Sequence, residues 1–192
     1  MGRLRIQYNA PVVLTFSLLS LAALLLGMAT GERSTWLLFC VYRSPLTDPL
    51  TYVRLFGHVL GHAGYGHFMG NIMLLLVVGP PLEEKYGSRR LLVCIAITAL
   101  VSGLVQFILF PGSALLGASG IVFMMIVLSS LAGMREGAIP LTLILVVILY
   151  LGGEVVDAVA AQDSVSQLTH IVGGLCGAAL GFAMSRSQPF SR

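Results

Sequence analysis

The sequence predicts an all-α membrane protein: a six-transmembrane-helix bundle with both termini cytoplasmic (N-in/C-in) and a long first outer loop. Three observations predict it. Hydrophobic residues fill 57% of the 192 positions and charged residues 10%, against about 45–50% and about 25% in soluble domains. Mean hydropathy is +0.93. No Asp, Glu, Lys or Arg occurs in 6–31, 55–82, 91–134, 137–153 or 164–185. So few charges cannot cover a soluble globule of this size, which excludes a water-soluble enzyme, a disordered chain and a nucleic-acid binder. The net charge of +3 fits basic residues on cytoplasmic loops.

A span needs about 20 mainly apolar residues. The run 91–134 holds two, divided at the turn signal Pro111-Gly112-Ser113. The spans are therefore expected at about 12–29, 67–82, 91–110, 118–133, 139–153 and 168–184, in a single transmembrane domain over 1–192 with no soluble domain. The first follows Arg3 and Arg5, as a signal peptide would. Its apolar stretch is longer than the 7–15 residues of a signal h-region, so a retained span is expected.

Orientation follows from the basic residues. An inner N-terminus puts Arg3, Arg5, Lys85, Arg89, Arg90, Arg135, Arg186 and Arg192 on the cytoplasmic side. Only Arg33, Arg43 and Arg54 are then outside, all in the loop from 30 to 66. That bias favours N-in, C-in. Within the loop, Trp36 to Tyr42 and Thr51 to Leu60 read as short interfacial helices.

Cys40, Cys94 and Cys176 are well separated, and no C-x-x-C occurs. They read as small apolar packing residues rather than a zinc site or a disulfide framework. Asp48, Asp157 and Asp163 lie in loops, and Glu83 and Glu84 at the inner end of the second span. With no carboxylate at mid-membrane, an aspartyl protease dyad has no members. With no H-E-x-x-H, a zinc protease has no motif.

The polar residues inside spans that offer candidate chemistry are His67, Asn71, Ser119 and His170. Even-numbered spans start at the outer face in this topology, so all four belong at similar depth in the outer membrane. Ser119 sits in Gly117-Ala118-Ser119-Gly120. Small neighbours leave room for a substrate backbone, and a serine opening a helix has free N–H groups beside it. The same serine also reads as a packing or capping residue. His170 precedes Gly173, Gly177 and Gly181, whose four-residue spacing forms one face for a close helix neighbour. If that neighbour is the fourth span, imidazole and hydroxyl meet, and serine needs such a base to act as a nucleophile. A histidine merely bonding between helices fits equally. His67 and Asn71 share a face at i and i+4 and can both donate to an oxyanion. His58, His62 and His67 invite a metal, but no carboxylate or cysteine is near enough to complete a set. His58 and His62 read instead as hydrogen-bonders holding the outer loop.

These residues resemble the rhomboid intramembrane serine proteases of the minimal six-span bacterial type. The resemblance covers about 50 to 184. It rests on Arg54-Leu55-Phe56-Gly57-His58 continuing through His62-Ala63-Gly64 to His67-Phe68-Met69-Gly70-Asn71, and on Leu82-Glu83-Glu84-Lys85-Tyr86-Gly87-Ser88. It also rests on Gly117-Ala118-Ser119-Gly120 and on His170-Ile171-Val172-Gly173 with Gly177. It implies that Ser119 is the nucleophile and His170 the general base. It implies an oxyanion hole from His67, Asn71 and the Ser119 N–H, and supporting roles for Gly117, Gly120, Phe123, Gly173 and Gly177. Glu83 would anchor packing near the cytoplasmic side, and the outer loop would lie partly in the membrane. The implied partners are transmembrane protein substrates and the lipid bilayer of a bacterial cell membrane, with no cofactor and no metal. Two positions depart from the family pattern: Val53 stands where Trp is frequent, and Phe123 where a Tyr often stacks on the histidine. Phenylalanine keeps the stacking face.

The rival reading is a catalytically silent relative that binds client helices. A small transporter or channel would show repeats, paired broken helices or intramembrane charges, and none is evident.

Overall fold

The structure is a computed structural model that describes residues 7–132, 141, 144, 145, 148 and 164–186. Its main helices are α1 (Pro11–Ala29), α4 (Tyr65–Tyr86), α5 (Ser88–Leu109), α6 (Ser119–Ala132) and α7 (Ser164–Arg186). Between α1 and α4 lie α2 (Arg33–Leu38), strand β1 (Val41–Tyr42), α3 (Pro49–Gly57) and a 3-10 turn, His58–Leu60. Strand β2 (Ala114–Leu115) precedes α6. Among the described residues three helices are long and apolar enough to cross a membrane: α1, α4 and α5. Apolar segments of α6 and α7, Ser119–Leu131 and Ile171–Met184, are shorter. The expected fifth span falls mostly outside the described residues. Within it Leu141, Ile144, Leu145 and Ile148 are helical and exposed.

One carboxylate fixes where the bundle starts. Pro11 opens α1, where its missing N–H costs nothing. The next two N–H groups, of Val12 and Val13, donate to Glu83 Oε1 and Oε2 at 2.9 and 3.0 Å. They are among the four that a helix leaves without internal acceptors, and the negative charge complements the helix dipole. Glu83 is buried near the end of α4 and also accepts from Ser88 Oγ at 2.6 Å. It therefore joins the start of α1, the end of α4 and the start of α5. Gly79 sits one turn earlier, so close to α1 that a Cβ would lie 2.6 Å from Val13 Cγ2.

The core forms around α6. Ile121, Val122, Phe123, Met124, Met125 and Leu128 are almost completely buried, and together they point to every side of the helix. A helix apolar all round belongs in the centre of a bundle, and α6 packs against α4, α5 and α7. The closest approach is to α7. A Cβ at Gly173 would strike Gly120 O, and one at Gly177 would lie 2.5 Å from Met124 O. At Gly181 it would meet Leu131 Cδ1 at 2.7 Å.

The outer loop departs from expectation. The helix expected over Trp36 to Tyr42 ends at Leu38. Val41 and Tyr42 are extended and pair antiparallel with Leu115 and Ala114. Among the described residues the fold is thus helical with one short strand pair. A β-branched and an aromatic residue suit a strand, but the partner is over 70 positions away, beyond any local pattern. The second segment is α3 with its 3-10 extension. Asp48 caps α3 through Leu50 N at 2.9 Å. Arg54, nearly completely buried, bonds Asp48 Oδ2 at 2.7 Å and Ser44 Oγ at 3.0 Å, with its guanidinium 4.7 Å from the centre of the Tyr42 ring.

Candidate active site

Ser119 is the first residue of α6, half-buried at the end of a loop held from two sides. Strand β2 ties the loop to the outer segment. Two residues before the serine, Gly117 donates its N–H to His58 O at 2.9 Å. Gly117 has φ +129°, a conformation that residues with a Cβ rarely adopt. The Ser119 and Gly120 amides belong to the first turn of α6, whose N–H groups have no acceptor within the helix.

His67 lies directly against this loop. A Cβ on Gly117 would be 2.8 Å from His67 Nε2 and 2.9 Å from Cε1. The Ala63 N–H donates to His67 Nδ1 at 3.4 Å. Nδ1 is therefore the acceptor, and the proton of the neutral ring is on Nε2, beside Gly117. Asn71, one turn along α4, is buried and donates one Nδ2 hydrogen to His67 O at 3.0 Å. A side-chain amide has two hydrogens, so a second remains for another acceptor. His67 is exposed and Asn71 is not, so the site grades from an open mouth to a closed floor.

On the other side stands α7. Gly120 is in backbone contact with Gly173, and a Cβ at Gly120 would lie 3.2 Å from Thr169 Cγ2. Thr169 and Gly173 flank His170 in sequence, so the backbones carrying Ser119 and His170 run side by side. The His170 side chain lies outside the described structure. Phe123 is buried with its ring against Gly174, where a Cβ would meet Cε1 at 2.6 Å. Gly174 is at i+4 from His170, hence on the same face. Val53 is exposed on α3.

Of the two histidines expected to hold the loop by hydrogen bonds, His58 uses both ring nitrogens, whereas His62 uses Nδ1 and leaves Nε2 without a partner among the described residues. His58 is buried, with Nδ1 3.2 Å from Arg54 O and Nε2 3.2 Å from Ser102 Oγ on α5. Burial pushes it down to about 4, so it is neutral at physiological pH. His62, also pushed down to about 4 by burial and then by His67, packs edge-on against His67 with ring centres 5.1 Å apart. Among the described residues no group of three His, Cys, Asp or Glu is gathered that would hold a metal. Sequence reasoning missed the His58 O to Gly117 N–H bond and the strand pair. Both are backbone contacts, which leave no side-chain signature.

The rhomboid domain model matches residues 49–187. The chain belongs to the rhomboid family. This rhomboid is 29% identical over 182 residues to the rhomboid protease GlpG of Pectobacterium atrosepticum, covering 92% of this chain and 63% of that protein. It is 29% identical over 159 residues to the rhomboid-related protein 2 of Mus musculus, covering 72% and 53%. With the rhomboid-related protein 1 of Caenorhabditis elegans the figures are 30% over 142 residues, 68% and 39%. The chain thus spans less than two thirds of the length of these relatives. The family and the apolar helices make this rhomboid an integral membrane protein.

Proposed function

We propose that this rhomboid is an intramembrane serine endopeptidase that cleaves transmembrane segments of membrane proteins near the outer face, using a Ser119–His170 dyad. The observation that carries the reading is the backbone contact of Gly120 with Gly173. It leaves no room for side chains between α6 and α7 one residue beyond Ser119 and three beyond His170. Curated relatives named as rhomboid proteases support the reaction class.

In this reading His170 accepts the Ser119 proton as Oγ attacks the peptide carbonyl carbon. The oxygen that becomes negative is met by His67 Nε2–H, the second Nδ2 hydrogen of Asn71 and the Ser119 N–H. Fixed donors aimed at developing charge in a water-poor site provide a large share of such catalysis. His170 then protonates the leaving amine, and water releases the acyl group by the reverse sequence. Gly117 and Gly120 admit the substrate backbone, while Phe123, Gly173 and Gly177 keep α7 in place. The whole chain forms one six-span domain, N-in/C-in, in a bacterial cell membrane, with transmembrane proteins and lipid as its partners.

The test is cleavage of a panel of single-span proteins by the purified protein in vesicles, with labelling by a serine-directed fluorophosphonate. Ser119→Ala and His170→Ala each abolish cleavage while leaving a folded protein, and their losses are non-additive because either removes the same unit. Full activity in either variant rejects the protease. A folded wild type that binds client helices, cleaves none and takes no label is instead a silent relative.

A further inference from the structure

Two arginines stand over an apolar slot at the end of the bundle remote from Ser119. The contacts of α7 run from Gly173 on Gly120 to Gly181 on Leu131, so Leu180 and Met184 lie at the far end of α6. There they face the start of α5 across a slot of about 350 Å³, lined by Arg89, Arg90, Val93, Cys94, Leu180 and Met184. Arg89 with Val93 and Arg90 with Cys94 are i, i+4 pairs, as are Leu180 and Met184. Two strips therefore face each other, one cationic at the mouth of the slot and both apolar deeper in. Both arginines are exposed. Among the described residues no carboxylate pairs with either. Glu83 is engaged by α1 and Ser88, and Glu84 lines a separate cavity with Gln7, Tyr8 and Asn9.

We infer that this slot binds one anionic phospholipid, with its phosphate between Arg89 and Arg90 and an acyl chain along Val93, Leu180 and Met184. Guanidinium groups match phosphate with paired, charge-assisted hydrogen bonds. The first turn of α5 adds the positive end of a helix dipole beside them. The slot beneath is too apolar to solvate a free ion but suits a hydrocarbon chain. Basic pockets between membrane helices are recurrent sites for anionic headgroups. The inference is independent of the catalytic reading.

The experiment uses the full chain, stripped of lipid in detergent. It is mixed with phosphatidylglycerol, with phosphatidylcholine of the same chains, or with inorganic phosphate. Native mass spectrometry counts retained lipid, and heating reports Tm. Phosphatidylglycerol is retained at one per chain and raises Tm, and the other two do neither. Arg89→Gln with Arg90→Gln weakens retention by about 30-fold, on the scale of a few-fold per basic side chain at an anionic lipid surface. Val93→Trp fills the slot, keeps both charges and also loses the lipid, so it decides the matter if the double variant fails to fold. Equal retention of phosphatidylcholine, an equal Tm rise with phosphate alone, or wild-type retention by Val93→Trp overturns the inference.

Discussion

His67 rests on the bare α-carbon of Gly117: a Cβ there would sit 2.8 Å from its Nε2. The contact joins α4 to the loop before Ser119, and it exists because position 117 has no side chain and a φ of +129°. A methyl group would therefore act on the site twice, through backbone strain of about 1–3 kcal/mol and by displacing the imidazole. Gly117→Ala is expected to lower kcat by about 10- to 100-fold, somewhat less than the roughly 10²–10³ for losing a whole oxyanion donor. In a double-mutant cycle with His67→Ala the losses should overlap, since both act on one contact. Strictly additive losses would mean that His67 does not act through this contact.

Asn71 separates catalysis from substrate binding. With one amide hydrogen on His67 O and, under the proposed mechanism, another for the oxyanion, Asn71→Ala should lower kcat and kcat/KM in similar proportion. In that mechanism two other donors share the charge, so the loss should be at or below about 10²-fold. A raised KM at constant kcat would make Asn71 a binding or packing residue.

Gly177 tests the packing of α6 and α7 away from the chemistry. A Cβ there would meet Met124 O at 2.5 Å and Val127 Cβ at 3.0 Å. Gly177→Val should destabilise the protein by about 1–3 kcal/mol, the usual cost of overpacking, and should reduce cleavage by moving His170 away from Ser119. Thermal unfolding in detergent alongside cleavage assays checks this. Unchanged Tm and activity would contradict the close approach.

The buried outer histidines predict a pH dependence of stability. An unfolded histidine takes a proton near 6.5, whereas folded His58 does so only near 4. Between those values the unfolded chain binds more protons, so the contribution of His58 to stability falls as pH drops through that window and is constant above about 7. The full cost for one such group is about 3 kcal/mol. His58→Asn keeps a polar side chain but cannot titrate, so its unfolding curve should decline less between pH 7 and 4 than the wild type's. Parallel curves would show that His58 titrates normally.

The sequence by itself determined what local composition controls. The charge-free runs contain most of α1, α4, α5, α6 and α7, as expected where burying a charge in lipid is costly. The four-residue spacing of Gly173, Gly177 and Gly181 announced a close helix neighbour, and the depth expected from the span order proposed His67, Asn71, Ser119 and His170 as one group. Only the tertiary structure decided which surfaces meet. It assigned the glycine face of α7 to Gly120, Met124 and Leu131 of α6, and turned Glu83 toward the first amides of α1. It also made Val41 and Tyr42 a strand and bound Gly117 N–H to His58 O. Such contacts join residues about 50 to 74 positions apart, several of them through backbone atoms common to all residues. Their choice depends on how the helices pack together, which no window of sequence contains.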